Sequence, residues 1–194
     1  MILFNPFKKY NEKGLLTLGL LATLAGIMIS VSGGIIQDGV FDLHYADTDC
    51  FAYGITAVLN IIILTGIGYG FGKWINRKTR LIDILNASMV SRIPVYLSMV
   101  LMQATPLRSI TERVMSQLGD PSQIRHMQLA SADLLILMLV SSLSLLLLAH
   151  FIILFVKGFR VAVHATRWQH FLYCALSLII AEIVTKVIYS FILL

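Results

Sequence analysis

The 194 residues are 58% hydrophobic and 13% charged, where soluble domains carry roughly 25% charged residues, and the mean hydropathy is +0.85. This balance excludes an ordinary water-soluble domain. The formal charge of +5 does not point to nucleic acid, because the cations sit in short hinges beside apolar runs, with no aromatic and basic platform on which bases could stack.

In chain order, residues 1–13 form a short tail in which Phe4, Pro6 and Phe7 beside Lys8 and Lys9 read as an interfacial anchor. A helix needs about 20 apolar residues to cross a bilayer core, and five stretches supply them. The first runs from Gly14 to Ile36, too long and too apolar for a cleaved signal peptide. The second, Phe51 to Gly72, ends in two overlapping GxxxG pairs, Gly66 with Gly70 and Gly68 with Gly72. Small residues let helix backbones approach closely, so this is a packing seam within one chain or between copies in a homo-oligomer, with Ala22 and Gly26 as its expected partner. It is not a nucleotide fingerprint, since no βαβ unit surrounds it.

The third span, Leu81 to Gln103, contains Arg92 and Pro94. Proline removes a backbone donor and predicts a kink there. Between the third and fourth spans, Leu107, Ile110, Val114 and Leu118 form one apolar stripe between Pro106 and Gly119-Asp120-Pro121. That pattern predicts a short interfacial helix. Ile124, Met127 and Leu129 suggest a second one. The fourth span runs from Ser131 to Val156 and the fifth from Trp168 to Leu194. The expected fold is therefore all-α and polytopic: a single membrane domain over residues 14–194, with five transmembrane helices.

Orientation follows from Lys and Arg, which favour the cytoplasmic side. Lys8, Lys9, Lys13, Lys73, Arg77, Lys78, Arg80, Lys157, Arg160 and Arg167 share one side, which is ten of the fifteen basic residues. Most acids lie on the other. A cytoplasmic N-terminus, an outward C-terminus and a place in the inner membrane are expected, with anionic headgroups meeting the basic hinges. The outer loop holds Asp38, Asp42, His44, Asp47 and Asp49. Its spacing does not fit an EF-hand, so a solvated acidic loop and no metal are expected. Cys50 and Cys174 fall at different depths and predict two free thiols.

A charge near the bilayer centre costs at least about 2.5–3.5 kcal/mol. Arg92 and Glu182 sit at matched depth, and Lys186 follows Glu182 by one turn. The expectation is a buried cluster of Arg92, Glu182 and Lys186 joining the third and fifth spans, with Asp83 near its inner end and Asn86 and Ser88 completing its hydrogen bonds. Such a cluster is either an interhelical clamp or an ion path. No zincin, nucleophile-elbow, Walker or Cys–His pattern occurs. The chemistry therefore gives no enzyme and no cofactor.

Thr79-Arg-Leu-Ile-Asp-Ile-Leu-Asn86 leading into Ser91-Arg92-Ile93-Pro94, Lys157-Gly158-Phe159-Arg160, and Ala181-Glu182-Ile183-Val184 with Lys186 resemble the bacterial branch of the Yip-domain (Ypt-interacting) family. The resemblance implies five membrane helices with the N-terminus in and the C-terminus out. Eukaryotic members bind Rab-type GTPases through a long cytoplasmic N-terminal region, and thirteen residues here do not carry that role. The expected function is a non-enzymatic membrane scaffold or interaction module. The alternative is a small transporter or channel lined by Arg92, Glu182 and Lys186.

Overall fold

The computed structural model describes residues 5–118, 130–165 and 167–192. Of the described residues, 81% are helical. A 3-10 turn at Pro6–Lys8 precedes α1 (Glu12–Gly33), whose N-cap Asn11 accepts a hydrogen bond from the Gly14 amide at 2.8 Å. A loop carrying the two-residue strands β1 (Ile35–Ile36) and β2 (His44–Tyr45) leads to α2 (Cys50–Ile75). Then follow α3 (Leu81–Ser91), α4 (Ile93–Ala104), α5 (Leu107–Leu118), α6 (Ser131–Val163) and α7 (Gln169–Ile192). Five helical stretches are long and apolar enough to cross a membrane, with α3 and α4 together making the third.

That third stretch is the axis of the bundle. Its most apolar part is 72% buried, against 28% to 39% for the other four. It packs against α1, α2 and α6, while α7 lies chiefly on α2. The outer helices turn large apolar side chains outward, such as Met28, Phe51, Leu145 and Leu146. Water would penalise that arrangement and hydrocarbon does not.

Pro94 does more than kink the third span. Its ring removes the N–H that would bond Val90 and crowds that carbonyl. The helix stops at Ser91 and restarts at Ile93, with the Arg92 amide bonded back to the Met89 carbonyl at 3.2 Å.

The glycine run of α2 divides between two faces. A Cβ on Gly68 would lie 3.2 Å from Ile84, and one on Gly72 would lie 3.0 Å from Thr79 and 3.2 Å from Val163. Gly66 and Gly70 meet nothing within 4 Å. The overlapping pairs therefore do not form one seam: alternate glycines along a helix are about 200° apart and face opposite sides. Gly26 of α1, the expected partner, instead lies against the Tyr96 ring.

Phe7 is also placed differently from expectation. It is buried with Leu15, Ala87, Val90 and Leu154 rather than resting at an interface. The short α5 forms as the stripe predicts, with Ile110 fully buried. Arg113 of α5 bonds Asp133 of α6 at 2.8 Å. The second short pattern, at Ile124, Met127 and Leu129, lies outside the described residues.

Candidate functional site

Arg92 has no exposed surface, and the break at Pro94 sets its side chain into the middle of the bundle. Its guanidinium does not reach Glu182. Nη2 donates to Oε1 of Gln37 at 2.7 Å, and Gln37 is itself 1% exposed. Gln37 ties several elements together. Its Nε2 lies 3.5 Å from the Ser30 hydroxyl of α1 and 3.7 Å from the Met99 sulfur of α4. Its backbone carbonyl accepts from Asn60 Nδ2 of α2 at 2.9 Å. The loop after α1 therefore folds back into the bundle and supplies the partner that sequence matching assigned to α7.

Glu182 holds the next part of the same loop. Its Oε2 accepts the Phe41 backbone N–H at 2.9 Å, and its Oε1 lies 3.5 Å from Lys186 Nζ. Lys186 bonds Asp42 at 2.7 Å. A Cβ on Gly39 would overlap the Glu182 carboxylate, coming within 2.7 Å of Oε2, so only glycine lets the loop backbone approach this closely. The Lys186 side chain is 48% exposed and that of Glu182 19%. Of the three expected members, only Arg92 is fully buried. The link between the third and fifth spans runs through residues 37–42 rather than through a direct ion pair.

Asp83 and Asn86 belong to another site at the opposite end. Arg80 bonds both Asp83 and Glu12 at 2.7 Å, and the Asn86 amide donates to the Glu12 carbonyl at 3.3 Å. Hydrogen bonds to Asp83 and then Glu12 hold the Arg80 pKa above its ordinary value. Asp83 and Asn86 precede Arg92 by nine and six residues, about 2.5 and 1.7 turns of helix, and both bond toward Arg80 and Glu12 instead. Ser88 is buried, and its hydroxyl has no partner among the described residues. The same is true of Arg92 Nε and Nη1, Tyr96 OH and Asn60 Oδ1. The Tyr96 side chain is a polar neighbour of this guanidinium, and burying a guanidinium without a full set of hydrogen bonds is costly.

The acidic loop is ordered by contacts rather than solvated throughout. Asp47 accepts from Arg108 at 2.9 Å, Arg108 also bonds Glu112 at 3.0 Å, and its guanidinium lies 5.9 Å from the Tyr45 ring centre. Those hydrogen bonds, Asp47 first, push the Arg108 pKa up. The Tyr45 hydroxyl donates to the Met102 carbonyl at 3.0 Å, and burial pushes its pKa up. Gly34 makes the turn into the loop at φ 61°, a left-handed conformation suited to glycine. Asp38, Asp42 and His44 bring one ligand atom each within 4.8 Å of one another. Asp49 stands at the N-cap of α2 instead. The Lys186 ammonium already sits on Asp42.

Sequence reasoning missed Gln37, Phe41, Gly39 and Asn60. Asn60 carried a signal, a fully polar side chain in the middle of an apolar span. Gln37 and Gly39 carried none, because nothing in a loop's composition says that it will be buried. Cys50 is exposed and Cys174 buried, both as free thiols.

No family model matches this chain, and no curated protein or solved structure matches it. By its own helices the chain is a multi-pass membrane protein.

Proposed function

We propose that the chain is a non-enzymatic membrane scaffold or interaction module of the cytoplasmic membrane, and that its internal charges are a clamp. One observation carries this reading: Arg92, Glu182 and Lys186 each hold a part of the folded-back loop. Arg92 holds Gln37, Glu182 holds the Phe41 amide, and Lys186 holds Asp42. Toward the basic end the bundle is closed by Leu64, Ile84, Phe155, Phe159 and Val163, all essentially without exposed surface. An ion entering beside Asp42 would meet hydrocarbon, where its transfer is costly. The working face of the scaffold is then its basic end, turned to the cytoplasm and its anionic headgroups. The Yip-type resemblance supports the reading through the five spans and the orientation it implies, and the proposal stands without it.

The competing ion path has one observation in its favour, the idle Arg92 Nε and Nη1 beside the Tyr96 hydroxyl. Proton and alkali-ion flux through protein reconstituted in liposomes separates the two. The clamp predicts flux equal to that of empty vesicles. Flux above that level, lost in Glu182→Gln while the melting temperature is kept, overturns the clamp.

A further inference from the structure

At the basic end a cavity of about 320 Å³ is lined by Asn5, Lys8, Lys157, Arg160, Val161 and Ala165. Among the described residues, three cations and no carboxylate line it. Pro6 opens the 3-10 turn, and the next residue, Phe7, is buried against the notch left by Gly158. A Cβ on Gly158 would lie 2.8 Å from the Phe7 ring and 2.7 Å from Ala87. With Phe7 fixed there, Lys8 is brought to the face of α6 that carries Lys157 and Arg160, one turn apart. At the same end, Glu12 and Asp83 each bond Arg80 at 2.7 Å.

We infer that this cavity binds the phosphate headgroup of an anionic phospholipid. The inference rests on the membrane reading above and names the lipid-binding site within it. Charge complementarity selects phosphate: a basic pocket at the end of a transmembrane bundle suits anionic headgroups. The wall beside the cavity selects a lipid over a free anion. Leu146 and Ile153 of α6 are exposed and precede Arg160 by fourteen and seven residues. Steps of seven return to nearly the same face of a helix, so these side chains form an apolar track of about 21 Å leading to the cations. A headgroup seated on Lys8, Lys157 and Arg160 lays its acyl chain along that track, whereas free phosphate has no use for it.

The test measures binding of dioctanoyl phosphatidylglycerol, dioctanoyl phosphatidylcholine and inorganic phosphate to the full chain in neutral detergent. Phosphatidylglycerol should bind, and phosphatidylcholine and inorganic phosphate should each bind far more weakly. The Lys8→Gln, Arg160→Gln double variant should weaken phosphatidylglycerol binding roughly twenty-five-fold, at about fivefold per cation removed. Lys73→Gln with Arg77→Gln, at a different hinge of the same end, should leave it within about twofold. Equal losses in the two double variants would overturn the site, leaving only diffuse attraction. Inorganic phosphate binding as tightly as the lipid would overturn the lipid assignment. Gly158→Val offers a check that keeps every cation: by expelling Phe7 it should weaken binding, and retention of full affinity would refute the placement of Lys8. A chain that folds in plain buffer without detergent would instead remove the membrane reading itself.

Discussion

The two ends of the bundle are held together differently. Toward the basic end the interior is apolar: the Phe155 and Phe159 rings follow one another along α6, tilted by 32° with centres 6.1 Å apart, and Leu64, Ile84 and Val163 are buried with them. Its polar contacts tie neighbouring segments together: Arg80 bonds Glu12 and Asp83, and Thr79, Asn76 and Asn86 donate to the Gly72, Val163 and Glu12 carbonyls. Toward the acidic end a loop enters the core, and Gln37, Asn60 and Arg92 are buried with it. The junction is Phe41, whose ring meets Phe151 edge-on at 5.8 Å while its amide bonds Glu182. Lipid offers no hydrophobic drive for helices to associate, so close packing and hydrogen bonds must do it. This molecule uses both, and the fully buried charge among its described residues, Arg92, is tied to the loop.

That contrast breaks most sharply at Arg92. Arg92→Ala strands the Gln37 side-chain oxygen Oε1 and removes the loop's bond to the centre of the third span. The expected cost is about 1.5–3 kcal/mol for the lost bond, with the cavity left by the side chain added to it, visible as a lower melting temperature in detergent. Exchanging charges, Arg92→Glu with Glu182→Arg, should not restore it. The partner of Glu182 is a backbone donor, and an arginine there would set donor against donor. Recovery of wild-type melting in the exchange would mean that the two side chains pair directly.

Glu182 should matter less. Glu182→Ala leaves the Phe41 amide without its acceptor, at about 1–3 kcal/mol. Glu182→Gln keeps an oxygen in place and should cost less than the alanine. Equal losses would show that charge toward Lys186, not the hydrogen bond to the loop, is what counts. Gly39→Ala attacks the same contact from the loop side by pushing a methyl into the carboxylate, with an expected loss of about 1–3 kcal/mol. Glu182→Ala should relieve part of that loss, since it removes the atoms that the new methyl strikes. Strict additivity of the two substitutions would argue against their contact.

The legible part of this structure is what hydrophobic length and periodicity encode. The five helices, the short α5 and the break in the third span all follow from runs of apolar residues and from Pro94. Glu182 and Lys186 were found because charge in an apolar run is conspicuous. Their partners were not, because matched depth on two spans is a one-dimensional argument, while pairing depends on which helices touch. The fifth span lies on α2, and the space between it and Arg92 is taken by residues 37–42. A loop rich in Asp reads as solvated from composition, and what buries it is a set of individual contacts: the Gly39 approach, the Gln37 amide and the Lys186 bond to Asp42. Such contacts leave no periodic trace.

The smallest expected effects concern the glycines of α2, and they sharpen the packed end. Gly68→Ala and Gly72→Ala add a methyl at 3.2 Å from Ile84 and 3.0 Å from Thr79, tight enough to force neighbours apart, and each should cost about 1–2 kcal/mol. Gly66→Ala and Gly70→Ala enter open space and should each stay within about 0.5 kcal/mol of the parent. Alanine is also the better helix former, so any change there should be stabilising. Bulk is the more telling probe at these two outward positions. In a protein that works as a single copy, Gly66→Leu with Gly70→Leu adds apolar surface to a lipid face and leaves both melting and elution volume unchanged. If the pair faces a second copy, the same substitutions block the close approach that GxxxG permits, and the protein should elute later with a lower melting temperature. The outward glycines therefore report on association while the inward ones report on folding.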